Sequence, residues 1–466
     1  MPQACFFGQL SQWKVKFHKA PELPFSQSLS AERIEAALER LGCKYRDRVY
    51  SPAVTLWMFL SQVLSSDPSC RDVVARNLAY RKARGLSSCS TDTASYCQAR
   101  MRLPEALIPE LVRDTGRELT EQAPEPWRWN GRKVKIADGS TASMPDTAEN
   151  TQAFGKPSNQ KGPCGFPIVR ILVVLCLATG AARDMAVGPY CGKQSGELSL
   201  FRSLSATFET DEIVLADRLF CAYSDIARLH ERGVDTVFRL NAQRKADFRR
   251  GQRLGKDDHI VVWKKPTKCP KGLSAEELAA LPDEMKLREI RVRVGVPGYR
   301  VKSLVVVTTL LDQVLYTKAD LALLYRQRWH GEVDLRSLKS TLQMDVLRCK
   351  TPEMVRKEIW MHLLANNLLR SAMCATAIRH HIMPRQLSFR ATQQLLNAFY
   401  LMLTSSPVTQ LDAICNSLFD AIEQHIVGNR PNRYEPRKRK RAAKPYPPLK
   451  LSREVERKLC LKSGSA

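Results

Sequence analysis

The stretch from Tyr325 to Lys339, YRQRWHGEVDLRSLK, constrains this chain more than any other. Read as one helix at about 100° per residue, it sets Tyr325, Arg328, Glu332, Arg336 and Lys339 on a stripe roughly 80° wide. A second stripe, about 100° further round, carries Leu324, Leu335, Leu338 and Leu342. Such a helix packs its apolar side and turns its polar side toward a cleft. The bland alternative is a solvated amphipathic helix of mixed charge. Two other acids weigh against it.

One glutamate among cations cannot hold a divalent metal, because Mg²⁺ and Mn²⁺ require several hard oxygen donors. The sequence offers two more carboxylates. Asp138 closes the run KVKIAD before GSTAS, and Asp217 closes EIVLAD before RLF. Each follows a short apolar, β-branched run and precedes a polar turn, so each is expected at the end of a buried strand, on the rim of a sheet.

Asp138 in IADGS, Asp217 in LADR and the Y-x2-R-x3-E-x6-K spacing of Tyr325, Arg328, Glu332 and Lys339 resemble the DDE transposases of bacterial insertion-sequence family four. The resemblance runs from about Lys133 to Met354, and the last motif holds at all four of its positions. It implies an RNase H-like catalytic core in which Asp138, Asp217 and Glu332 are the catalytic residues and ligate two Mg²⁺ ions, with Mn²⁺ able to substitute. It also implies that Arg328 and Lys339 clamp DNA phosphates, that Tyr325 donates a hydrogen bond there, and that a homodimer grips two transposon ends.

Composition agrees with a nucleic-acid partner. The chain has 466 residues, too many for one ordinary domain, and a formal charge of +26. Membrane surfaces also attract cations. However, the opening MPQACFFGQLSQWKVKF lacks the apolar core of a signal peptide, and the run Ile171 to Ala182 is too short to span a bilayer. Double-stranded DNA is the expected partner and a membrane is not. The 14 cysteines contain no C-x2-C pair, which points to reduced thiols in a cytoplasmic, nucleoid-associated protein rather than to zinc.

The fold class expected is multidomain α/β. Residues 1–125 form an N-terminal helical DNA-binding domain. Ser30 caps a helix to Leu41, and Ser51-Pro52 and Asp67-Pro68 each start another. The segment SSCSTDTASYCQARMRL is a polar helix offering Thr93, Gln98, Arg100 and Arg102 to DNA or to solvent. The RNase H-like core takes residues 126–240 and 311–375. A β-rich insertion occupies residues 241–310, opens on the basic QRKADFRRGQRLGK and ends on a run that either stays in it or rejoins the core sheet. Trp263 and Trp329 are candidates for base stacking, with core packing the commoner role of Trp263. An amphipathic helix, TPEMVRKEIWMHLLANNLLRSAM, follows the Glu332 motif. Helices continue over residues 376–428, and residues 429–466 form a basic tail that stays unfolded without a partner.

These features point to cut-and-paste transposition of an insertion sequence: metal-dependent phosphodiester hydrolysis and strand transfer, with recognition of terminal inverted repeats and target DNA. The alternative is a catalytically inactive or co-opted DNA-binding protein of transposase origin.

Overall fold

The computed structural model describes Leu29, residues 31–428, Leu451 and residues 453–462, apart from short gaps at 46–48, 84, 160–161, 164, 193–194, 271, 294–302 and 407. The chain divides into two units. One comprises the described residues up to Trp127, with Ala178–Asp184 and Asp334–Gly428. The other comprises Arg128–Leu177, Met185–Val333 and the described residues beyond Asn429.

The helical unit is built around the helix Pro352–Arg379, which starts on a Thr351 cap accepting from the Met354 N–H, with proline at its first position. The sequence predicts an amphipathic helix here. Instead, 21 of its 28 residues are buried, so it is a central helix covered on most of its circumference. Two of its buried polar residues are matched by neighbours in the same unit. Asn367 accepts from the Ala182 N–H and donates to the carbonyls of Val112 and Ala182. Glu358 accepts from the Arg348 and Cys349 N–H groups. By contact, residues from Asp334 on group with the helical elements, while the sequence reading carries the core to residue 375.

The N-terminal helices run Ala31–Arg40, Pro52–Leu64, Cys70–Ala83, Ala94–Arg102 and Leu107–Glu121. Ser51 and Pro52 cap and start the second as expected. Ser30 lies outside the described residues. At the third, the expected Asp67 cap moves two residues on. Ser69 accepts from the Asp72 N–H, and Asp67 closes a turn on the Ser69 N–H. In Ala94–Arg102, Gln98 and Arg102 are exposed. Arg100 instead turns inward, 9% exposed, over the rings of Phe59 and Tyr96. That guanidinium is a core group, not one offered to DNA.

In the sheet unit the strands are β1 Val134–Ser143, β2 Ser158–Asn159, β3 Gly162–Pro163, β4 Ile168–Cys176, β5 Ala182–Pro189, β6 Ile213–Ala216, β7 Asp235–Arg239, β8 Gln252–Gly255, β9 Asp258–Lys264, β10 Glu284–Arg293 and β11 Ser303–Thr308. Nine of them form one sheet in the order β5-β4-β1-β6-β7-β11-β10-β9-β8. β1 runs antiparallel to β4 and parallel to β6, which is parallel to β7. The alternation of side chains sorts the core by face. Val134, Ile136, Leu215 and Val306 meet Leu321, Leu324 and Tyr325 on one side. Ala137, Val214 and Phe238 meet Leu200, Phe201, Ile226 and Leu229 of the helices Glu197–Ser203 and Tyr223–Glu231 on the other.

The insertion is indeed largely β, and its last run does rejoin the core sheet. β11 pairs antiparallel with β7 and β10, so β8–β10 extend that sheet and do not form a separate β body. Trp263 on β9 packs in the core, 5% exposed, its indole N–H donating to Glu289 at 3.0 Å and the Arg244 guanidinium 3.9 Å from its ring centre.

A helix forms over Arg453–Lys462, inside the segment the sequence reads as an unfolded tail. Glu454 and Glu456 in its first turn complement the positive end of the helix dipole. The basic run at 429–450 lies outside the described residues. Among the described residues, no helix is long and apolar enough to cross a membrane, and no cysteine is paired in a disulfide.

Candidate active site

β1 and β6 share the register Ile136↔Leu215, and the acids follow two residues later on each strand, as Asp138 and Asp217. The register carries both acids to the same end of this strand pair, near enough that the Asp217 charge raises the Asp138 carboxyl. Asp217 sits where β6 ends and accepts from the Arg218 N–H at 2.6 Å, capping a short 3₁₀ turn. Asp138 differs from expectation in one respect. β1 does not stop there but continues to Ser143, because the polar GSTAS residues keep their ladder with β4. The rim is made instead by β6 ending first, which leaves Asp138 at an edge open on one side.

The Glu332 segment is not one regular helix. A helix Lys318–Gln327, capped by Thr317, gives way at Arg328 to a second helix Trp329–Arg336 and then a π-helical turn Ser337–Thr341. The predicted apolar stripe is correct: Leu324, Leu335, Leu338 and Leu342 are all buried. The polar stripe is altered. Tyr325 is 7% exposed and belongs to the core beneath the sheet. Lys339 falls in the π turn, where steps of about 100° no longer apply, and it is counted with the helical unit, as is the exposed Arg336.

The sheet unit gathers five of the six predicted site residues. Arg328 Nη2 lies 2.6 Å from Glu332 Oε1, while its Nη1 lies 3.8 Å from Asp138 Oδ2. Asp138 Oδ1 accepts from the Gly139 N–H. Burial pushes the Asp138 carboxyl up to about 6, and the negative charges of Glu332 and Asp217 add to that rise. Arg328 and the Gly139 N–H oppose it. Burial likewise pushes the Tyr325 hydroxyl well up, against the pull of Arg328, to which it is hydrogen-bonded. Asp217 also acts on Tyr325, so the phenol, the guanidinium and the three acids form one electrostatic neighbourhood. Trp329, beside Arg328, is 43% exposed.

Two residues of this neighbourhood escape the sequence reading. Arg239 closes β7 at the same rim as the acids, and its charge reaches Tyr325. Its signal is its place at the end of DTVFRL, matching that of Asp217 in EIVLAD. Gly331 lies against β1, and the sequence marks it only as a glycine inside a helix.

The three acids supply carboxylate oxygens alone, the donor set suited to Mg²⁺ or Mn²⁺. Among the described residues no three His, Cys, Asp or Glu side chains converge tightly enough to hold one ion. Mg²⁺ is commonly met by one or two carboxylates, with water and phosphate oxygens completing its shell.

A sheet rim where acids crowd around a guanidinium suits cations and phosphates together, the pairing found in proteins that handle nucleic-acid backbones. Residues 129–368, more than half of the chain, match the family described as "Transposase DDE domain", and the chain belongs to that family. It is 26% identical over 302 residues to "Transposase InsG for insertion sequence element IS4" of Escherichia coli (strain K12), covering 64% of each chain. It therefore spans a little under two thirds of that relative's length. It is 24% identical over 221 residues to "Putative transposase InsZ" of the same organism, covering 47% of this chain and 71% of that one. Among solved structures, the cryo-EM structure of the piggyBac transposase synaptic complex with hairpin DNA aligns with a TM-score of 0.45 at 10% identity, covering 90% of this chain and 88% of the other.

Proposed function

We propose that this chain is a DNA transposase that excises and inserts an insertion sequence by phosphodiester hydrolysis followed by strand transfer, in the bacterial cytoplasm and on nucleoid DNA. One observation carries the reading: the Asp138 carboxyl lies in the field of both Glu332 and Asp217, with Arg328 against two of the three. The sheet order β5-β4-β1-β6-β7, antiparallel and then parallel, supports an RNase H-like core around these acids.

Asp138, Asp217 and Glu332 would hold two divalent cations, with Asp138 shared. Two such ions, when bound, activate an attacking oxygen and stabilise the leaving one in an in-line displacement. The protein's own groups do the rest. Arg328, freed from the carboxylates, offers a forked guanidinium to a phosphate. Tyr325 supports Arg328 from the buried side. Lys339 adds a further cation for the DNA backbone. Water attacks first and leaves a 3′-hydroxyl, and that hydroxyl attacks target DNA in the second step. The partners are double-stranded DNA, as transposon-end inverted repeats and as target, and a second copy of the chain to grip the other end.

The test is to incubate the full chain with Mg²⁺ and duplexes carrying the element's ends, comparing it with Glu332→Gln. Nicking by the unaltered protein and not by Glu332→Gln is expected. Equal nicking by both refutes the role of Glu332. Binding without nicking by either favours the noncatalytic alternative.

A further inference from the structure

Helix interiors disfavour glycine by about 0.8–1.0 kcal/mol against alanine, so a glycine there needs a reason. Gly331 stands in the first turn of the Trp329–Arg336 helix, one residue before Glu332, its N–H donating to the Arg328 carbonyl at 2.9 Å. It is buried. A Cβ placed on it would meet Ile136 Cγ2 at 2.8 Å, Asp138 Oδ2 at 3.4 Å and Asp138 Cβ at 3.6 Å. Its backbone therefore touches the side chains of the strand that carries Asp138, on the face where Ile136 and Asp138 both point. Those contacts leave no room for one more carbon. Ile136 is itself fully buried on a central strand, so its methyl has nowhere to retreat.

We infer that Gly331 is a positioning residue: by lacking a side chain it sets how near the Glu332 helix lies to β1, and so fixes the separation of the Glu332 and Asp138 carboxylates. The inference rests on the reading of those acids as cation ligands. A helix lifted from the strand moves Glu332 away while Asp138 stays with its ladder to β4. The substitution changes no charge and removes none of the proposed ligand or phosphate-binding side chains.

The experiment measures Mn²⁺ binding to the full chain, calorimetrically and by the electron spin resonance of the free ion, without DNA. Four variants are compared with the unaltered protein: Gly331→Ala, Ile136→Ala, the two combined, and Asp138→Asn. The expected result is a dissociation constant at least tenfold weaker in Gly331→Ala, restored in the double variant to that of Ile136→Ala, because removing the isoleucine methyl frees the space. Unchanged Mn²⁺ affinity in Gly331→Ala, or a double variant still weaker than Ile136→Ala, overturns the inference. Should Gly331→Ala alone fail to fold, the double variant set against Ile136→Ala decides between the same two outcomes. Full Mn²⁺ binding by Asp138→Asn overturns the ligand reading, and the inference falls with it. Loss in Asp138→Asn beside unchanged binding in Gly331→Ala overturns the inference alone.

Discussion

Arg328 grips Glu332, with Nη2 2.6 Å from Oε1, and the same guanidinium stands 3.8 Å from Asp138. A cation of the protein thus bridges two acids that would otherwise repel one another, and on the proposed reading it competes with a divalent ion for them. A hydrogen bond to a charged group contributes about 1.5–3 kcal/mol, and each ~1.4 kcal/mol is a factor of ten in affinity. Arg328→Ala is expected to bind Mn²⁺ roughly tenfold more tightly by calorimetry while losing DNA cleavage. Weaker Mn²⁺ binding in that variant would mean that Arg328 organises the acids instead of competing for them.

The raised Asp138 carboxyl gives a pH signature. Protonated below pH 6, it no longer serves a cation, so the apparent Mn²⁺ affinity should fall about tenfold per pH unit below that point and flatten above it. A titration of Mn²⁺ affinity from pH 5 to 8 reads this directly. A profile flat down to pH 5 would remove Asp138 from the ligand set.

Within the helical unit, the fully buried Asp334 accepts from Arg370 at 2.6 Å and from Arg385 at 2.8 Å. Asp334→Asn leaves two guanidinium groups short of their anion and should cost about 3–5 kcal/mol of stability. Chemical denaturation followed by far-ultraviolet dichroism measures that loss, which is expected even without metal or DNA.

His362 lies buried in the central helix, and burial pushes its imidazole down to about 3. The unfolded chain takes up a proton near pH 6.5 that the native state refuses. Stability is therefore full above pH 6.5 and falls by up to about 1.4 kcal/mol per pH unit between 6.5 and 3. His362→Leu should flatten the melting temperature across pH 4 to 6.5. An unchanged acid slope would place the sensitivity elsewhere.

Trp263 is expected to behave as a core residue. Trp263→Ala removes the indole that links Arg244 and Glu289 and should cost about 3–5 kcal/mol, while leaving Mn²⁺ affinity as it was. Intrinsic fluorescence during denaturation, with a parallel Mn²⁺ titration, separates the two effects.

The sequence by itself determined the apolar stripe and most of the strands. Hydrophobic period, caps and strand-ending residues are local, and the Leu324, Leu335, Leu338 and Leu342 stripe follows from the order of residues alone. It did not determine where the regularity would fail. Tyr325, still in the regular helix, packs inward with Leu321 and Leu324, and the π-helical turn at Ser337 takes Lys339 off the stripe. Tertiary packing decides this, and an ideal 3.6-residue repeat carries no knowledge of its neighbours. Likewise, nothing near Gly331 in the chain announces Ile136, almost two hundred positions earlier. The insertion's place in the sheet depends on the free edge of β7 meeting β11, a pairing across long sequence separation. Only the folded chain brings such distant groups together, and the spacing of the acids is set there.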